Sequence, residues 1–207
     1  MEFKSGIYDK PLHQTSLNAF DLFDLNIMYV FMLGDKSTGK TILIDSLRTR
    51  CISDPLLPSF QHVSESDRMT DVGMITLRLL ELNREQLSLP EISQVCQAAK
   101  HVFLFVYAFD DLDSLRCLYT RWIMHVKNIF GCTITTVMLG NKIDLVHVPG
   151  FKVKYPVCSN SLAHGYKALF KVNYVFQCSA LNGYQLELVL LVIAVLGNKH
   201  HCHQKLA

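Results

Sequence analysis

The sequence predicts an α/β fold with a mostly parallel six-stranded sheet and helices on both faces. Two observations lead there. Apolar stretches of strand length alternate with stretches of helical periodicity nearly from end to end, the pattern of strands joined by crossover helices. Several strands, such as His101–Phe109 "HVFLFVYAF", are apolar at almost every position, as a strand covered on both faces must be. A chain of 207 residues suits one such domain, because cores tend to split only beyond about 250 residues.

The elements follow in order. Asn26–Leu33 "NIMYVFML" is an apolar run that stops at Gly34, and Ile42, Leu43, Ser46 and Leu47 then recur with helical spacing. Residues 51–71 carry Pro55, Pro58 and many polar side chains, which reads as a long loop holding at most a weak edge strand, the sixth of the sheet. Gly73–Leu82 reads as a strand, Pro90–Ala99 as a short helix opened by proline, and His101–Phe109 as the buried strand. A helix from Asp111 to Phe130 follows, closed by Gly131, with Asp110, Asp111 and Asp113 favouring its positive end. Thr133–Gly140 is a β-branched strand, Ser161–Phe170 a helix, Val172–Cys178 a strand and Tyr184–Gly197 the last helix. Residues 1–25 are an N-terminal extension, 26–197 the folded domain and 198–207 a polar tail.

Composition excludes several classes. Only 18% of residues are charged and the net charge is +2, so no strong field argues for nucleic acid or for an anionic membrane. Seven scattered cysteines, never in a C-x-x-C pair, form neither a disulfide framework nor a zinc site. The N-terminus lacks a signal-peptide core and no apolar run reaches the roughly 18 residues of a membrane span, which points to a cytoplasmic chain with at most peripheral membrane contact.

Gly34-x-x-x-x-Gly39-Lys40-Thr41 follows a buried strand and opens a helix, the context a phosphate-binding loop requires. Small residues there let backbone N–H groups face phosphate oxygens, and the helix adds its positive end. Lys40 would reach the outer phosphates and the Thr41 hydroxyl would meet Mg²⁺. The alternative is an ordinary strand-to-helix turn. Asn141-Lys142-Ile143-Asp144 follows the next-to-last strand, where such sheets present ligand-binding edges. A carboxylate at Asp144 can accept from both donors of guanine, which adenine lacks, so it favours GTP over ATP; the bland reading is a polar loop. Cys178-Ser179-Ala180 ends the last strand, ahead of Asn182-Gly183.

With these three motifs the chain resembles the Ras superfamily of small GTP-binding proteins over residues 26–197, and "RWIMHV" and "CSALNGYQLE" look most like its Rab branch. The resemblance implies GTP or GDP held with Mg²⁺ by Gly34, Asp35, Lys36, Ser37, Thr38, Gly39, Lys40 and Thr41. It places Asn141, Lys142, Asp144, Ser179, Ala180 and Leu181 around guanine, and Thr41 with Ser59 on the metal. It also implies effector proteins, an exchange factor and a GTPase-activating protein as partners.

The pattern breaks at Glu81–Glu85 "ELNRE", where the family carries D-x-x-G followed by glutamine. Glu81 stands for the aspartate near the metal, Arg84 for the flexible glycine and Glu85 for the glutamine that orients water. An ionised glutamate only accepts hydrogen bonds and lies beside an anionic phosphate, so hydrolysis should be slow, and no catalytic residue is assigned. Lys36 adds bulk where a partner would supply a cation. A pseudo-GTPase serving as an interaction module is the competing reading. The tail "NKHHCHQKLA" has no prenylation motif, and its histidines with Cys202 read as a solvated end rather than a metal site. The last helix is apolar around its circumference, so either other segments cover its outer face or that face docks a partner or lipid.

Overall fold

The computed structural model describes residues 27–53, 63–65, 68–70, 76–131, 133–149 and 158–204. Five strands, β1 (Ile27–Leu33), β4 (Thr76–Glu81), β5 (Lys100–Ala108), β6 (Thr136–Asn141) and β7 (Tyr174–Gln177), form an all-parallel sheet in the order β4-β1-β5-β6-β7. The expected sixth strand is absent from this sheet among the described residues. In its place β2 (Val63–Glu65) and β3 (Arg68–Thr70) pair with each other as a separate antiparallel hairpin. Two three-residue strands separated by two residues lose little chain entropy by pairing locally, whereas reaching the edge at β4 would order a longer connection.

The helices are α1 (Lys40–Ser53), α2 (Pro90–Ala98), α3 (Leu112–Leu118), α4 (Met124–Phe130), α5 (Asn160–Phe170) and α6 (Leu186–Gln204). A π-helical turn, Tyr119–Ile123, joins α3 to α4, so the single helix read from the sequence is interrupted. Its start and end are as expected. The Asp111 carboxylate accepts from the Asp113 and Ser114 backbone N–H groups, and Gly131 closes α4 with φ 85°. Pro90 opens α2, and the Ser159 side chain caps α5 through Leu162 N–H.

Side chains alternate across the sheet and build two cores. Tyr29, Phe31, Phe103, Phe105 and Tyr107 point to an aromatic layer covered by α2, α3, α4 and α5. Met28, Val30, Leu104, Val106 and Leu139 point the other way, against Leu43 and Leu47 of α1 and Leu186, Val189, Leu190 and Ile193 of α6. This double cover explains why β1, and β5 from Val102 to Ala108, are apolar throughout. Helix α6 buries one stripe and leaves Leu188 and Leu191 exposed, and its backbone continues past residue 197 into the stretch read as a polar tail. No described helix is long and apolar enough to cross a membrane. Residues 1–25, Ser59 and the Cys202 side chain lie outside what is described.

Candidate functional site

The carboxyl ends of β1, β4, β6 and β7 bring the motifs together at one edge of the sheet, where open parallel sheets bind ligands. The loop from Gly34 to Gly39 leaves β1 and feeds α1. A Cβ on Gly34 would lie 2.2 Å from the Val106 carbonyl oxygen, and one on Gly39 2.6 Å from Asn141 Nδ2. The glycines are there because neighbouring backbone and amide occupy the space. Ser37 takes a left-handed φ of 65°, and both Lys36 and Ser37 are exposed.

Lys40 is buried to 7% exposure, and its ammonium donates to the carbonyls of Gly34 (3.0 Å) and Asp35 (2.9 Å). Glu81, at the end of β4, lies 3.4 Å from the same ammonium and accepts from the Thr41 hydroxyl at 2.9 Å. Thr38 is buried and its hydroxyl donates back to the Asp35 carbonyl at 3.0 Å.

Asn141 is 1% exposed and ties two loops together. Its Nδ2 donates to the Thr38 carbonyl at 3.0 Å, while its Oδ1 accepts from the Ala180 N–H at 3.0 Å. The Ser46 hydroxyl of α1 donates to the Ala180 carbonyl at 2.8 Å, a second tie. Asp144 Oδ1 accepts from the Ser179 hydroxyl at 2.5 Å, and Oδ2 has no donor among the described residues. Lys142 sits in a left-handed conformation, φ 65°, with its ammonium 3.2 Å from Asp110 Oδ2. Leu181, 81% exposed, stands at the rim. Burial pushes the Cys178 thiol beneath these loops up to about 12, with the Asp144 charge adding to it.

The divergent segment is arranged differently. Asn83 and Gln86 exchange backbone-to-side-chain hydrogen bonds, both 2.8 Å, which close a local turn ahead of a short 3₁₀ turn. Arg84 and Glu85 sit exposed at its tip.

The structure thus gathers Gly34 to Thr41, Asn141, Lys142, Asp144, Ser179, Ala180 and Leu181 along one edge; Ser59 is outside the described residues. Three neighbours were not expected at the site. Arg121 Nη1 and Trp122 Nε1 hold the Asp35 carboxylate at 2.6 and 2.8 Å, and Asp110 holds Lys142. Asp110 reads in the sequence as part of a helix start, and nothing in the spacing of Arg121 and Trp122 announces a partner 86 and 87 residues away.

Among known proteins, no curated sequence matches the chain. The Ras family profile matches residues 29–197, which takes in all three motifs and every strand of the main sheet except the first two residues of β1. Its span, together with an all-parallel sheet whose carboxyl edge gathers the motifs, establishes that the chain belongs to the Ras family of small GTPases.

Proposed function

We propose that this protein is a guanine-nucleotide switch, Rab-like in type, that binds GTP or GDP with Mg²⁺ more effectively than it cleaves GTP and acts through effectors in intracellular signalling or vesicle traffic. One observation carries the nucleotide reading: Asn141 braces the phosphate loop at Thr38 and the base loop at Ala180, so both halves of the site are held in one frame. Within that frame Asp144, oriented by Ser179, keeps an oxygen for guanine donors, and Lys40 at the start of α1, held by the Gly34 and Asp35 carbonyls, would serve the phosphates.

The paired oxygens of Thr41 and Glu81 fit Mg²⁺, which takes hard oxygen ligands and keeps waters and phosphate oxygens for the remainder. Such an ion would offset phosphate charge. Thr41 would ligate it, and the longer Glu81 carboxylate would act from the side. With a carboxylate at Glu85 where the family has an amide that both donates and accepts, the position is poorly suited to orient water, so turnover would depend on a partner.

The exposed Arg84–Glu85 tip also favours the second reading, an interaction module that holds nucleotide without cleaving it or binds none. Identifying co-purified nucleotide by chromatography, titrating fluorescent GDP and following single-turnover GTP hydrolysis separates the two. Micromolar or tighter GDP binding with slow cleavage is the expected result; neither bound nor titratable guanine nucleotide would end the switch reading.

A further inference from the structure

We propose that Arg121 and Trp122, on the π-helical turn between α3 and α4, are positioning residues for the phosphate loop, acting through the Asp35 side chain. The inference deepens the guanine-nucleotide reading and rests on it. The Met124 N–H donates to the Tyr119 carbonyl, five residues back, so one extra residue is accommodated in this turn. Widening a turn reduces the angle between successive side chains, and here two consecutive residues reach one carboxylate. Arg121 Nη1 takes Oδ2 at 2.6 Å and Trp122 Nε1 takes Oδ1 at 2.8 Å. π turns of this kind inside helices frequently mark functional sites.

The coupling to the phosphates runs through one residue. Asp35 offers its carboxylate to the helix and its carbonyl to Lys40 Nζ (2.9 Å) and Thr38 Oγ1 (3.0 Å). Fixing both oxygens of the side chain therefore fixes the carbonyl that aims the Lys40 ammonium. The two donors contribute unequally. The Arg121 side chain is 56% exposed, so solvent weakens its pair, whereas Trp122 is 8% exposed and packs in the aromatic core. The indole N–H is the stronger hold and the guanidinium trims it.

Trp122 is also the only tryptophan in the chain, so its emission reports the contact directly. With the full-length protein and fluorescent GDP as probe, Trp122→Phe, which keeps the ring and removes the donor, should speed GDP release about tenfold. Arg121→Gln should speed it about threefold, and Arg121→Lys should restore most of that loss. In an Asp35→Ala background Arg121→Gln should add nothing, because its route to the loop among the described residues is gone. Asp35→Ala should itself shift the Trp122 emission at unchanged far-ultraviolet circular dichroism. A purely structural role would make release follow the unfolding midpoint; Arg121→Gln should change release with the midpoint held within about 2 °C. Wild-type release rates in Trp122→Phe and Arg121→Gln, or an Arg121 effect undiminished without Asp35, would overturn the positioning role while leaving the nucleotide reading intact. Failure of the wild-type protein to bind GDP would instead remove the reading on which it rests.

Discussion

The base-side and outer-phosphate ends of the site are built by opposite means. At the base side Asn141, Ser179 and Ala180 are buried, and their side-chain bonds to Thr38, Asp144 and one another's loops join segments distant in sequence, alongside local bonds within the turn after Ser179. At the outer-phosphate end the segment after β4 closes on itself through Asn83 and Gln86, three residues apart, and presents Arg84 and Glu85 to solvent. The first is a frame of long-range contacts, suited to the ligand specificity proposed for it. The second is a local turn at its tip, tied to the rest of the domain by Glu81 to Thr41 and Lys40, by the Leu82 N–H to the Met32 carbonyl and by the buried Leu82 and Leu87. A protein can keep recognition and lose turnover because these ends are stabilised by separate sets of contacts.

The largest effect is expected at Asp144. Asp144→Asn should weaken GDP about a thousandfold and improve xanthine nucleotide binding, since the amide reverses the required hydrogen-bond polarity while still accepting from Ser179. Competition titration with both nucleotides measures this, and unchanged GDP affinity would mean the base is not read here. Next comes the brace. Asn141→Ala leaves the Thr38 carbonyl and the Ala180 N–H without a partner and should cost about 2 kcal/mol of folding stability, measured by denaturant unfolding.

At the other end, joint Arg84→Gly and Glu85→Gln should leave the unfolding midpoint within about 2 °C and raise single-turnover GTP hydrolysis about tenfold. An equal rate in the double variant would show that something other than these two side chains limits cleavage. The smallest effect concerns Cys178. Its unfolded thiol ionises near 9.0 and its folded thiol only near about 12, so the unfolded chain sheds the proton first as pH rises. The stability tied to it is intact below about pH 9 and declines from there toward about pH 12. Cys178→Ser should therefore lose less stability between about pH 8 and about pH 10 than the wild type does, as followed by denaturant unfolding.

What the sequence discloses divides along the same line. The parallel sheet was legible because β1 and β5 from Val102 on are apolar on both faces, and the tight turn from β1 into α1 because close neighbours, the Val106 carbonyl and the Asn141 amide, require its glycines. Asp111 and Gly131 marked a helix start and stop correctly through local capping chemistry. The π turn was not legible: Tyr119–Ile123 continues the helical spacing, and its extra residue is stabilised by the tertiary contact to Asp35 rather than by any local signal. Likewise the motif at Asn141 marks a position but not its partners, which arrive from 103 and 39 residues away. The weak edge strand expected in this stretch is not found in the main sheet among the described residues, where β2 and β3 pair with each other instead, and no pattern of side chains says which choice prevails.

The Asn141 brace also bears on synthesis. A ribosome makes the phosphate loop early, yet its Thr38 carbonyl waits for Asn141, and Asn141 Oδ1 waits for Ala180. Translation supplies residues at about 5–20 per second, so the loop exists for several seconds in a nascent chain that cannot yet hold it in shape. Any nucleotide capture that depends on this brace would therefore wait until Ala180 has left the exit tunnel.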